Sequence, residues 1–364
     1  MTPRQYQLTA AQWLAKQRRA GIQSAAGSGK SYTLALALSI AIESRPRSRP
    51  VRIGWIAPTL ETREQAWAAI RKFPIVTAQE VRVECAAAMA DWSDRDCLVI
   101  DEAHLATSPS YRTQIEACHG AWWAMTATPW GDDHERNAAL REMIPHWHVV
   151  SRAEVGQALT PARVVWLDAS DPDIDKPIDA QIERLCRQRG RWWRGDPGAL
   201  WGQVAWQVCN ELGIVGNRAR NEAAIAAAST TKPTLVLVGS IEHGQALAAR
   251  IAGARPVWSG MGRKARGEAM AAFLDGSLRC MVATSLADTG LDLPNCQVVV
   301  MVSGGRSTTR AEQRTGRALR IHAGKTEGLI YDFSDASVHP LMAKHARLRG
   351  ELYQRLGYDF TDHA

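Results

Sequence analysis

The sequence lacks any long uninterrupted apolar run. Its longest, near residues 32–42, is too short and too broken to span a bilayer, so no membrane helix is expected. The N-terminal stretch MTPRQYQLTA has no apolar signal-peptide core. No CxxC pair occurs. The seven cysteines, at 85, 97, 118, 186, 209, 280 and 296, are odd in number and scattered, which argues against a zinc knuckle or a disulfide framework and fits a reducing compartment. Cys118–His119 has no further ligand near it in sequence, so a metal site is not expected there. Phenylalanine is scarce (4) beside tryptophan (14), an imbalance with no physical reading of its own. A soluble cytoplasmic protein is the expectation.

The 46% hydrophobic and 22% charged residues argue against disorder, collagen or coiled coil as the main architecture. A chain of 364 residues predicts two domains with a small additional element. Its net charge of +7 suits a polyanionic partner without requiring one.

Apolar runs at 51–57, 97–100, 122–125, 234–238, 279–283 and 298–302 read as buried strands, several of them Val- and Ile-rich without alternation, as in parallel sheets covered on both faces. Helices are predicted at 31–43, 62–72, 242–251, 263–274 and 308–319. The strand–helix rhythm occurs at about 20–130 and again at 232–335, predicting two doubly wound α/β domains. Residues 151–230 break it and are expected to form a linker with a small, mostly helical insert, including a helix at 217–228; a terminal helix is expected from His339. RPRSRP at 45–50 reads as a proline-stiffened surface loop.

SAAGSGKS at 24–31 follows a short apolar strand and opens a helix, the setting a phosphate loop needs. Gly27 and Gly29 let backbone N–H groups turn toward phosphate oxygens, with Ala26 and Ser28 between and beside them. Lys30 can reach the β- and γ-phosphates and the Ser31 hydroxyl can ligate Mg²⁺. Ser24 stands where the usual pattern has its first glycine. CLVIDEAH at 97–104 ends an apolar strand in two carboxylates, 71 residues after Lys30. That puts Asp101 and Glu102 at the C-terminal edge of a parallel sheet, where ligands bind. Asp101 suits Mg²⁺ and Glu102 the attacking water, since phosphoryl transfer needs chiefly positioning and charge neutralisation. Together the two elements predict a nucleoside triphosphatase using ATP and Mg²⁺, and leave open what hydrolysis drives.

The order of the remaining motifs resembles the superfamily 2 helicases over nearly the whole chain. PRQYQ (3–7) resembles the Q motif, in which Gln7 would read the adenine with Arg4 or Tyr6 beside the base. APTLETREQA (57–66) resembles motif Ia, placing Pro58 and Thr59 against a nucleic-acid strand. DEAH is motif II, and TATP (126–129) resembles motif III, which would couple nucleotide and strand through His104, Thr126 and Thr128. LVLVGS (235–240) resembles motif IV. ATSLADTGLDLP (283–294) resembles motif V, with Thr284 on a backbone phosphate and Gly290 and Asp292 facing the nucleotide. EQRTGRALR (312–320) resembles motif VI, with Gln313 toward the cleft and Arg317 and Arg320 as arginine fingers, their i, i+3 spacing placing both on one helical face. No motif Ib stands out; VECAAAMA (83–90) occupies its place. LGIVGNRARN (212–221), TATPW and QRTGR resemble the RadD-like and UvsW-like DNA helicases.

The resemblance implies two tandem RecA-like domains, 1–150 and 231–364, closing on Mg-ATP. It also implies a monomeric motor on nucleic acid, DNA in preference to RNA, held mainly through phosphates. RQRGRWWRG (187–195) offers Arg191, Trp192 and Trp193 to grip phosphates and stack a base, or else is a basic face whose tryptophans pack on a neighbour. Alternatives are a motor that translocates or anneals without unwinding inside a restriction or repair assembly, an RNA helicase, and a degenerate, non-catalytic binding protein. The intact Lys30, Asp101, Glu102, Arg317 and Arg320 count against the last.

Overall fold

A computed structural model describes residues 2–44, 49–130, 133–156, 159–171, 175–258, 260–284 and 293–361. Gly290, Asp292 and most of the 45–50 loop lie outside the described residues. The first unit spans Met1–Leu159 and the second begins at Thr160.

In the first unit the elements are α1 (Gln5–Leu14), β1 (Arg19–Gln23), α2 (Lys30–Ser44), β2 (Arg52–Ala57), α3 (Leu60–Ile70), α4 (Pro74–Thr77), β3 (Glu80–Cys85), β4 (Cys97–Asp101), α5 (Pro109–Ala117), β5 (Ala121–Thr126), α6 (His134–Met143), β6 (His146–Val149) and α7 (Arg152–Val155). The six strands run in the order β3-β2-β4-β5-β1-β6, and every pairing is parallel. The middle strands have no exposed face: β4 is buried at each of its five positions, and Trp55 and Trp92 pack fully inside. This two-sided burial is why these segments read as continuous apolar runs. It also fixes the C-terminal ends of β1 and β4 beside β5, in register Gln23 with Thr126 and Asp101 with Met125.

The second unit contains β7 (Ala162–Leu167), α8 (Asp175–Gly190), α9 (Pro197–Val208), a π-helical turn (Cys209–Val215), α10 (Arg218–Ala228), β8 (Thr234–Leu237), α11 (Ile241–Arg250), β9 (Ala254–Val257), α12 (Arg263–Leu274), β10 (Cys280–Ala283), β11 (Val298–Met301), α13 (Thr308–Thr315), a 3₁₀ turn (Gly316–Leu319), β12 (Gly328–Phe333), α14 (Pro340–Arg355) and β13 (Asp359–Thr361). Its strands run β13-β7-β12-β11-β8-β10-β9, again with parallel pairings. The stretch 151–230, expected as linker and insert, is largely helical, but β7 within it is a full strand of the second sheet. It pairs with β12 over six residues, from Ala162↔Gly328 to Phe333↔Leu167. Residues of α8, α9 and α10 join the same buried core as β8, β10 and β11. Among the described residues no helix is long and apolar enough to cross a membrane.

Candidate nucleotide site and motif VI

Between β1 and α2 the chain turns through Ser24–Gly29, and only the glycines take the left-handed backbone, Gly27 at φ 84° and Gly29 at φ 82°. Ser24 is buried, its N–H donates to Thr126 O (3.1 Å), and its Oγ donates to Ser28 Oγ (2.7 Å). The serine that departs from the usual glycine therefore seats the loop on β5 and closes it internally. Ala26 is half-buried and Gly27 and Gly29 are exposed, so the loop offers backbone outward. Lys30 and Ser31 form the first turn of α2, whose N-terminal N–H groups supply positive potential.

The Q-motif residues meet this loop from below. Tyr6 Oη donates to Ser28 O (2.7 Å) and Gln7 Nε2 donates to the same carbonyl (3.1 Å). Arg4 N–H donates to Gln7 Oε1 (3.0 Å), fixing which end of the amide faces the loop. A Cβ on Gly29 would sit 2.7 Å from Gln7 Nε2, so the glycine is needed for the close approach as well as for its φ.

Asp101 ends β4 buried, and Glu102 follows in the left-handed region at φ 52°. Glu102 N–H donates to Asp101 Oδ1 (3.0 Å). The Glu102 carboxylate faces Lys30, with Nζ 3.7 Å from Oε1. Its other oxygen accepts from Thr126 Oγ1 (3.2 Å) and lies 3.3 Å from His104 Nδ1. His104 Nδ1 is 3.1 Å from Thr126 Oγ1, which also accepts from Thr128 N–H (3.3 Å). Motifs I, II and III thus converge on one carboxylate. Burial and then the Glu102 charge push the Asp101 carboxyl upward. Burial also works to raise Glu102, but Lys30, and after it His104 and Thr126, outweigh it and hold this carboxyl low. The Thr128 hydroxyl is buried with no hydrogen-bond partner.

Other residues singled out in the sequence fall elsewhere in the first unit. Thr59 caps α3, its Oγ1 accepting from Thr62 N–H (3.3 Å), with Pro58 half-buried before it. In the second unit Thr284 follows β10 and its N–H donates to Val257 O (3.4 Å). Trp192 and Trp193 form the tip between α8 and α9. Trp192 is 81% exposed and Trp193 37%, the latter donating its indole N–H to Asp196 O (2.9 Å). Arg191 is exposed beside them.

Motif VI is not one helix. α13 ends at Thr315, Gly316–Leu319 continues as a tighter 3₁₀ turn, and Arg320 leaves it extended at φ −66°, ψ 136°. The expectation of one helix carrying both arginines is therefore corrected: Arg317 is buried within the 3₁₀ turn and Arg320 is the extended residue that follows it. Gln313 is half-buried on α13. Arg314, which the sequence reading passed over, is buried and donates to Ser303 Oγ (2.6 Å).

Sequence reasoning also missed the ionic cluster behind this motif. Arg349 of α14 grips Asp332 with two bonds, Nε–Oδ2 2.8 Å and Nη2–Oδ1 3.0 Å, and donates to Gly305 O (2.8 Å). Tyr353 Oη donates to Asp332 Oδ2 (2.8 Å). Arg220 of α10 pairs with Asp335, donates to Val302 O (3.0 Å) and lies over the Phe333 ring at 4.0 Å. Both arginines thus clasp the 302–305 turn that leads into α13. The signal was the pair of aspartates in DFSD (332–335), at the end of an apolar run.

Residues 207–322 match the helicase conserved C-terminal domain. Over 67 residues the chain is 40% identical to putative helicase 22 of Sulfolobus islandicus filamentous virus, covering 18% of this chain and 12% of that protein. Over 274 residues it is 24% identical to the DNA 3'-5' helicase XPB of Mycobacterium tuberculosis, covering 74% of this chain and 45% of that one. The chain thus spans less than half the length of these curated relatives. The fold matches Saccharomyces cerevisiae Dbp5 bound to RNA and ADP BeF3, with a TM-score of 0.63 at 14% identity, covering 100% of this chain and 90% of that one. The two parallel sheets with flanking helices are the two tandem RecA-like domains of such helicase structures. With the family match at 207–322 and the ordered motifs on both sheets, the chain is similar to the superfamily 2 helicases.

Proposed function

We propose that this chain is an ATP hydrolase that drives unwinding of, or movement along, nucleic acid, with DNA favoured. The observation that carries the reading is the convergence on Glu102 of Lys30, His104 and Thr126, at the exit of a glycine loop and a parallel strand. The lysine would reach the terminal phosphates. The Glu102 carboxylate, kept ionised beside Lys30, would accept a hydrogen bond from the attacking water and orient it. Its hydrogen bond from Thr126 ties the hydrolytic group to motif III, the route by which nucleotide state would reach the strand. In this reading Gly27, Gly29 and the α2 N-terminus would hold the phosphates, and Gln7 and Arg4 would meet the base.

The residues fit Mg²⁺. Ser31 and Asp101 are hard oxygen donors at the same sheet edge, and a buried carboxyl such as Asp101 gains from a cation beside it. They would hold the ion, which when bound neutralises charge on the phosphates. Arg317 and Arg320 of motif VI would supply further cationic groups to the transition state, with Gln313 positioned near them, and Thr284, Pro58 and Thr59 would contact the strand backbone.

DNA is supported by the name of the relative matched over 274 residues, a DNA helicase, while the fold match to an RNA-bound protein keeps RNA as the second arm of the test. The test is ATP turnover alone and with single-stranded DNA, duplex DNA, forked DNA and RNA, alongside strand displacement. Stimulation by DNA with displacement of a strand is the expected result. Stimulation without displacement would identify a translocase. Nucleotide turnover that is absent, or indifferent to every nucleic acid, would end the proposal.

A further inference from the structure

Arg320 stands on a peptide that is held from outside its own motif. The N–H of Thr160, the first residue of the second unit, donates to Leu319 O (2.7 Å). The Thr160 hydroxyl donates to Arg320 O (3.2 Å). The same Arg320 carbonyl accepts from Lys325 Nζ (2.8 Å), which also donates to Cys296 O (2.5 Å). Arg320 O therefore receives two side-chain donors, the full capacity of a carbonyl oxygen. Beside it, Gly328 opens β12 with its N–H on Pro161 O (2.8 Å). A Cβ there would lie 2.2 Å from Ala318 O, so backbone rests directly on backbone.

Lys325 is an unexpected occupant of this place. It is half-buried, and burial brings its ammonium down to about 8, with Cys296 supporting the charge and Arg320 opposing it. Arg320 itself is lowered to about 10 by burial. Placing a desolvated ammonium near a desolvated guanidinium is unfavourable. What offsets it is the pair of carbonyls that Lys325 bridges, one on the turn before β11 and one on the arginine.

We infer that Thr160 and Lys325 are positioning residues that clamp the carbonyls of Leu319 and Arg320, on either side of the Arg320 Cα, and so set where the Arg320 guanidinium is presented to the nucleotide. This rests on the proposed role of Arg320. It adds that Thr160, the first residue of the second unit, is fastened to the carbonyls of Leu319 and Arg320. Neither residue touches the reacting phosphate in this scheme; each acts through the backbone of Arg320.

The experiment compares Lys325→Met and Thr160→Val, two near-isosteric removals of a donor, in the wild-type and the Arg320→Ala backgrounds. It measures kcat and KM for ATP under saturating nucleic acid, with Tm for each protein. Displacing a catalytic group by a fraction of an ångström to an ångström lowers turnover by about tenfold to 100-fold. Each single variant is expected to lose kcat on this scale with KM for ATP unchanged, and neither to lower kcat further once Arg320 is alanine. Unchanged kcat in both, or the same fold-loss in the Arg320→Ala background, would overturn the clamp. Should Lys325→Met fail to fold, Thr160→Val alone carries the comparison. Wild-type turnover in Arg320→Ala itself would overturn the role of Arg320, which separates that failure from failure of the clamp.

Discussion

Glu102 is one of the few non-glycine residues here with a left-handed backbone, at φ 52°. Such a residue is uncommon, and its conformation here turns the carboxylate toward Lys30 and Thr126 as the chain leaves β4. Replacing Glu102 by Gln keeps the shape and removes the proton acceptor. Turnover should fall by about 10²–10⁴-fold with Tm nearly unchanged. Lys30→Ala should abolish turnover and weaken nucleotide binding, measured by fluorescent nucleotide titration. Gly328→Ala tests a steric point: its Cβ, 2.2 Å from Ala318 O, requires a backbone shift. The expected loss is about 1–3 kcal/mol of stability by chemical denaturation, with reduced kcat. Lys30, Asp101 and Glu102 were legible in the sequence because phosphate chemistry demands fixed residue types at fixed places along the chain. Ser24 and Lys325 were not, since Ser24 acts through a backbone N–H and a bond to another serine, and Lys325 through bonds to carbonyls, none of which leaves a residue-type signature of its chemistry.

Among the elements, legibility followed burial. β2, β4, β5, β8, β10 and β11 are interior strands, and each reads as an apolar run. β3 and β13 lie at sheet edges, and β13 is three residues long. β7 was hidden by distance: its partner β12 lies far downstream, and its neighbours in sequence are helical and polar. Motif VI reads as one helix at 308–319 because its residue pattern permits one, but the chain tightens after Thr315 where Gly328 presses against Ala318. The grip of α14 on the 302–305 turn gives a prediction of its own. Arg349→Met leaves the buried Asp332 with Tyr353 as a remaining donor, and breaking such a buried pair costs about 3–5 kcal/mol. A large drop in the denaturation midpoint is expected. At the α8–α9 tip, Trp192→Ala with Trp193→Ala should weaken single-strand binding by about 1–3 kcal/mol per lost stack at constant Tm. Unaltered affinity would assign the exposed tryptophans to another role.

For the whole chain, acid is a predicted weakness. His243 is buried, its Nε2 2.8 Å from Asn221 Oδ1 and its Nδ1 without a partner. Burial, then the Arg220 charge, lowers it to about 4. Burial, then Arg349, lowers His345 to about 4 as well. The unfolded chain takes up these protons near pH 6.5 and the folded chain only near 4. Between those values the unfolded state binds more protons, so stability falls as pH falls, by about 3 kcal/mol for His243 alone. Thermal melts across pH 7 to 4 should show the decline, and His243→Gln should lessen it. The net charge of +7 adds a second expectation at this scale. Nucleic-acid affinity should drop steeply with added salt, as phosphate contacts dictate.

The strand order of the first sheet also sets a timetable. β1 lies between β5 and β6, so Arg19 meets Trp122 and Ala20 meets His146 across more than a hundred intervening residues. During synthesis the glycine loop leaves the ribosome long before the strands that seat it, and Ser24 waits for the carbonyl of Thr126. Closing so wide a gap is slow. Strand β1 must therefore stay unpaired, and in need of shielding from other chains, until β5 has been made.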